Sequence, residues 1–147
     1  MIIRPYTHGD REAVFEILAL NTPTYFAPEE HDDFARYLDR HARHIWVAEK
    51  HPTGRVIACG GSDDGESGVL GWGMVRPEEQ GKGVGRALTA HRIAALRQLG
   101  AKRIGVRTSQ LACVFYEKMG FVLRETQSNY WAPGFDLYSM ELAEERK

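Results

Sequence analysis

Apolar residues recur along this chain at two periods that alternate in blocks, which predicts interleaved strands and helices. Ile2 to Tyr6 reads as an opening strand. Asp10 is expected to cap a helix reaching about Asn21, with Ala13, Val14, Ile17 and Leu18 on one face. Asn21-Thr22-Pro23-Thr24 breaks it, and a second helix follows from Pro28 to Arg40 with Phe34, Tyr37 and Leu38 as its apolar stripe. Ile45 to Glu49 and Arg55 to Gly60 read as a hairpin around His51-Pro52-Thr53-Gly54, and Ser62 to Gly68 as a polar turn into a strand from Val69 to Val75. A long helix from Gly83 to Leu99 stops at Gly100, and Arg103 to Arg107 is a strand. Leu111 to Met119 is a helix closed by Gly120, and Phe121 to Gln127 with Phe135 to Leu142 make a final strand pair. The predicted order is βααβββαβαββ, an α+β arrangement.

Composition narrows the class. At 147 residues, with 43% hydrophobic and 27% charged, the chain reads as one globular domain over 1–147 with a core hiding roughly two-thirds of its unfolded surface. A net charge of −1 argues against a nucleic-acid partner. No apolar run approaches the ~18 residues of a membrane span, and Met1-Ile2-Ile3-Arg4-Pro5 is unlike a signal peptide, so a cytoplasmic protein without a membrane partner is expected. Cys59 and Cys113 fit reduced, buried thiols. His41-x-x-His44 lacks a third ligand in a matching pattern and reads as a solvated pair, so no metal is expected.

The stretch carrying most chemistry is Val75-Arg76-Pro77-Glu78-Glu79-Gln80-Gly81-Lys82-Gly83-Val84-Gly85-Arg86, a strand entering a glycine-spaced turn and a helix start. Alternating glycines let several backbone N–H groups converge on one anion, and the helix N-terminus adds partial positive charge. A P-loop requires Ser or Thr after the lysine, whereas Gly83 follows Lys82. A dinucleotide fingerprint requires an acid about twenty residues on, where Ile104, Gly105 and Val106 stand. Lys82, Arg86 and Arg92, followed by Lys102 and Arg103, give a local basic bias suited to one cofactor.

What remains is Gln-x-x-Gly-x-Gly, at Gln80, Gly83 and Gly85. Downstream, Thr108-Ser109-Gln110-Leu111-Ala112-Cys113-Val114-Phe115-Tyr116-Glu117-Lys118-Met119-Gly120-Phe121 contains Phe-Tyr-Glu-Lys-x-Gly-Phe. Together, in this order, the two blocks resemble the GNAT superfamily of acyl-CoA-dependent N-acyltransferases. The resemblance implies a mixed, largely antiparallel sheet of six to seven strands with helices on both faces. It implies acetyl-CoA as cosubstrate, its pyrophosphate held by Gln80, Gly81, Lys82, Gly83, Val84, Gly85 and Arg86. It also implies polarisation of the thioester carbonyl by the N–H of Val75, and Tyr116 as the general acid for the departing thiolate. Ser109 stands where many members carry asparagine, and its bland role is helix capping.

Simple alternation along Leu70 to Val75 places Gly71, Gly73 and Val75 on one face and Leu70, Trp72 and Met74 on the other. The glycine face would admit an acyl arm, or only a closely packed helix. An ordinary phenol titrates near about 10, so Tyr116 holds a proton at neutral pH; between Phe115 and Met119 it also suits core packing. For the base, Glu66 lies too far along an extended strand, leaving Glu29, Glu30, His31, Asp136 or a water relay. Tyr25, Phe26, Glu29, Trp72 and Trp131, with Tyr130, are expected around an amine bound between the Asn21 to Glu30 and Ser128 to Phe135 loops. Those aromatics alternatively form a homodimer contact. The expected reaction is direct acetyl transfer to a primary amine of a small molecule. The alternatives are a protein or peptide N-acetyltransferase, a non-catalytic acyl-CoA-binding module and a nucleotide-binding protein.

Overall fold

The computed structural model describes residues 1–63 and 68–143. The elements follow in the expected order: β1 (Ile2–Pro5), α1 (Arg11–Leu20), α2 (Glu30–His41), β2 (Ile45–Lys50), β3 (Arg55–Ser62), β4 (Val69–Val75), α3 (Val84–Gln98), β5 (Gly105–Thr108), α4 (Cys113–Lys118), β6 (Phe121–Ala132) and β7 (Phe135–Leu142). One sheet runs β1-β2-β3-β4-β5-β7-β6. Its neighbours are antiparallel except β4 and β5. The expected largely antiparallel sheet with helices on both faces is therefore what forms.

Each helix buries its apolar stripe against a different part of the sheet. Val14, Ile17 and Leu18 of α1 and Phe34, Tyr37 and Leu38 of α2 pack on one face with Val47, Cys59 and Met74. Leu88 of α3 meets Ala48, Ile57 and Ala58 on the opposite face. Ile93 and Leu96 continue that layer toward α4, where Cys113 and Tyr116 pack with Val106, Phe121 and Met140. Both cysteines are unbonded and buried, and burial pushes the Cys59 thiol up to about 12. Asp10 stands at the α1 cap position, but its carboxylate turns back to accept from Thr7 N and Arg4 at 2.8 Å each.

Three sequence expectations shift. β5 begins at Gly105, because Lys102 and Arg103 occupy the preceding bend and Arg103 reaches Glu141 on β7 at 2.8 Å. β6 extends to Ala132, so the expected Ser128 to Phe135 loop is mostly strand around a turn at Pro133 and Gly134. There Asn129 adopts φ 53°, and its side chain accepts from Gly134 N at 2.7 Å. The third concerns β4. Cys59 pairs with Met74 and Gly61 with Gly71, so Trp72 and Gly73 together oppose Gly60 alone. Trp72 absorbs this bulge at φ 58°. Trp72 and Met74 stay on the α1–α2 face, while Leu70 is carried to the α3 face beside Ile93.

The bulge depends on small residues opposite it. Tyr37 donates to Ser62 O at 2.6 Å, and a Cβ on Gly61 would overlap the Tyr37 hydroxyl. Gly61→Ala is therefore expected to cost about 1–3 kcal/mol in denaturant unfolding. Adding Tyr37→Phe should return part of that loss. A pair of independent, additive losses would show that the two groups do not compete for the space.

Candidate active site

β4 and β5 pair only at Val69–Gly105 and Leu70–Val106. Beyond this short parallel ladder the strands diverge. Arg76 N donates to Ile57 O at 2.8 Å, so the peptide groups of Val75 point the other way, toward the opening. Val75 O is already taken there by the side chains of Asn21 and Gln80, each at 3.0 Å. The opening continues into a cavity of about 580 Å³.

At one end lies the glycine turn. Gly81 and Gly83 adopt φ 78° and 86°, and the sites their Cβ atoms would occupy are open. Gly83 caps α3, whose first intrahelical bond runs from Ala87 N to Gly83 O, so the N–H groups of residues 84–86 have no partner inside the helix. Arg86 and Lys82 are exposed beside them. Glu79, buried nearby, would oppose an anion, but Lys50 holds it at 2.8 Å and Lys82 approaches to 3.5 Å. The Lys50 bond keeps its carboxyl below the usual range.

At the other end stands Tyr116 on α4. It is 5% exposed and wedged edge-on between Phe115 and Phe121. Its hydroxyl lies 3.0 Å from where a Gly73 Cβ would be, so only glycine at 73 leaves the phenol and the strand in contact with the cavity. Trp72 leans the opposite way, stacked on Phe26 at 5.9 Å and against Phe34 at 5.0 Å. Trp131 donates to Thr108 O at 3.0 Å, and Arg107 spans the Tyr130 and Trp131 rings at 5.1 and 5.6 Å.

The cavity wall contains Val75, Gln80, Gly81, Gly83, Gly85, Arg86, Ser109 and Tyr116. The same wall contains Tyr25, Phe26, Trp72 and Trp131. Other expected site residues stand apart. Val84 faces the core, Lys82 is engaged with Glu79, and Glu29 is exposed at the start of α2. His31 contacts Thr22 at 3.4 Å, Asp136 accepts from Asn129 N at 2.9 Å, and Glu66 lies outside the described residues. The Gln80 amide donates to Asn21 Oδ1 and Val75 O, each at 3.0 Å, and Ser109 Oγ accepts from Leu111 N at 3.2 Å in a turn ahead of α4, whose cap position is Ala112 instead. Of the basic residues first placed at the turn, Arg92 is instead buried under β4, and Arg103 pairs with Glu141.

Glu30 is the base candidate that reaches the cavity. It is 4% exposed and accepts from Ala27 N at 2.7 Å, and burial pushes its carboxyl up to about 7 against that bond. Sequence reasoning also passed over three structural ties. Asn21 links the end of α1, Val75 O and Gln80. Gln110 bridges Gly134 O and Asp136 N across the β6–β7 turn. Arg92 falls in the apolar row Leu88-Arg92-Leu96, and a charge in that row was the available signal.

A cleft between parting strands, with a glycine turn at a helix start at one end and a phenol at the other, is the arrangement that the resemblance to acyl-CoA-dependent transferases implies. The family model for the acetyltransferase (GNAT) domain matches residues 41–123, and the chain belongs to that family. Acetyl-CoA is its cosubstrate. Among solved structures it is similar to a protein assigned to the GNAT family from Desulfovibrio desulfuricans, at 25% identity and TM-score 0.74, over 96% of this chain and 97% of that one. It resembles in fold a ribosomal-protein-alanine N-acetyltransferase from Brucella melitensis, at 20% identity and TM-score 0.75, over 96% and 98%. An aminoglycoside 6'-N-acetyltransferase complexed with coenzyme A gives 12% identity and TM-score 0.76 over 100% of both chains. No curated protein matches the chain.

Glu30 generates a pH prediction. Its folded pKa lies above the ordinary 4.5, so its contribution to stability is full below about 4.5 and lost as pH rises through about 7. Glu30→Gln keeps an oxygen for Ala27 N but cannot ionise. Its melting temperature relative to wild type should therefore climb between pH 5 and pH 8. Parallel melting curves across that window would refute the buried, titrating carboxyl.

Proposed function

We propose that the protein transfers the acetyl group of acetyl-CoA to a primary amine of a small molecule by direct attack in a ternary complex. The observation that carries this reading is the convergence of the unpaired β4 edge, the glycine turn and the Tyr116 hydroxyl on one cavity. The backbone N–H groups at Gly83 to Arg86 hold the pyrophosphate, and exposed Arg86 adds charge. The Val75 N–H donates to the thioester oxygen, so charge developing there is stabilised by a dipole fixed in place. Glu30, near neutrality by burial, takes the proton shed by the acceptor's ammonium. The freed amine nitrogen forms the new C–N bond as the C–S bond breaks, and its surplus proton passes to water. Tyr116 gives its phenolic proton to the leaving sulfur and regains one from solvent.

The aromatic wall of Tyr25, Phe26, Trp72 and Trp131 favours an acceptor with a flat or apolar body over an extended peptide. Among the described residues no helix is long and apolar enough to cross a membrane, and we place the activity in the cytoplasm. The same fold also serves protein substrates, as the name of the Brucella melitensis relative states, so an amino-terminal acceptor is the competing reading.

Tyr116→Phe should lower kcat by about tenfold or more, the range of a lost general acid, while the Kd for acetyl-CoA by calorimetry stays within about twofold. Equal loss of turnover and affinity would make the tyrosine structural. Absence of both calorimetric heat and a melting shift with saturating acetyl-CoA would remove the whole reading.

A further inference from the structure

Arg92 is a charge placed in a core. It is 2% exposed, in the α3 row that also supplies Leu88 and Leu96. A guanidinium has five N–H donors, no acceptor and a permanent charge. Nη1 donates to Gly61 O at 3.0 Å and Gly71 O at 3.3 Å, which bolts the two sides of the β4 bulge together. Nη2 reaches only the Thr89 hydroxyl, at 3.4 Å, and Nε has no partner. Among the described residues no carboxylate pairs with it. Glu30 and Asp63 line the cavity; Glu30 is engaged with Ala27 N, and Asp63, near Tyr37 as Arg92 is, forms no ion pair with Arg92.

Two bulge carbonyls need only a neutral donor, whereas a buried cation costs desolvation that is recovered chiefly from an anion. The strands are also cleared around it. A Cβ at Gly60 would stand 2.6 Å from Arg92 Cζ, and one at Gly73 would stand 2.9 Å from Nη2. That second point is also the one faced by the Tyr116 hydroxyl. The charge therefore looks into the reacting end of the cavity, away from the phosphate turn served by Arg86. Its underused donors, Nη2 and Nε, are neighbours across Cζ and form one edge of a planar fork, the geometry that matches a carboxylate.

We infer that Arg92 reads a carboxylate carried by one of the two reactants, either the acceptor amine or the acyl chain. The inference rests on the acyl-transfer reading and names the substrate class of that same site. An amino acid is the simplest carrier on the acceptor side, and a dicarboxylic monoacyl group is the simplest on the thioester side.

Two arms of one experiment on the full chain separate the carriers. In the first, calorimetry compares succinyl-CoA with butyryl-CoA, and acetyl-CoA serves as reference. In the second, thiol release from acetyl-CoA is followed with amino acids and with their carboxamides. The carboxylate member of one arm should be favoured by about tenfold, the equivalent of one charge-assisted hydrogen bond. In Arg92→Met, of similar length but neutral, the preference should fall to about unity, and Arg92→Lys should restore it only in part. If neutral members match in both arms of the wild type, or if a folded Arg92→Met keeps the preference, the inference is overturned while acyl transfer stands. If no thioester binds at all, the acyl-transfer reading falls and takes this inference with it. The wild-type comparison decides even if a variant does not fold.

Discussion

The site depends on two neighbouring strands being paired at one end and unpaired at the other. A sheet normally spends every backbone donor and acceptor on its ladders, and leaving some free inside a protein costs a lost hydrogen bond apiece. Here β4 and β5 share two register positions and then part. The carbonyls exposed by the separation and by the bulge are claimed one by one from outside the ladder. Asn21 and Gln80 take Val75 O, and Arg92 takes Gly61 O and Gly71 O. The cleft is thus held open by side chains whose hydrogen bonds replace those the strands give up. In the proposed complex an amide-bearing arm of coenzyme A completes the remaining edge.

The same economy governs charge at the glycine turn. A buried glutamate beside an anion site would weaken it, yet Glu79 is neutralised from two sides by Lys50 and Lys82. Asn21 then ties the end of α1 to the strand and, through Gln80, to the turn itself. The turn and the α1–α2 connection that carries Tyr25 and Phe26 are consequently fixed to one another. The glycine turn and the aromatic wall thus share one anchor, Asn21.

Fold class and element order were legible in the sequence because each element is strongly periodic and the breaks fall at Gly100, Gly120 and Asn21-Thr22-Pro23. The glycine turn was legible because its chemistry lies in consecutive residues. The bulge was not, since a local insertion in β4 is defined only against its partner: alternation alone places Leu70 with Trp72, and the single Gly60 opposite Trp72 and Gly73 decides otherwise. β6 beyond Gln127 was missed because Gln127-Ser128-Asn129 reads as a polar loop, while pairing with β7 resumes at Ala132 opposite Phe135 after an irregularity in which Asn129 takes φ 53°. Glu30 and Glu29 are indistinguishable as neighbours in sequence. A single residue of helical rotation buries one and exposes the other.

Position within the cavity also divides the labour of its positive charges. Arg86 and Lys82 stand in solvent, where ionic strength screens them within a Debye length of about 8–10 Å. Arg92 lies under the strand in a medium that screens little, with its donors fixed by the bulge it braces. A charge so placed contributes almost nothing to attraction at a distance and a great deal to the difference between a reactant that carries an opposite charge and one that does not. The bulge beside the cleft, a strand one residue too long for its partner, thereby also positions the group that we propose selects what enters it.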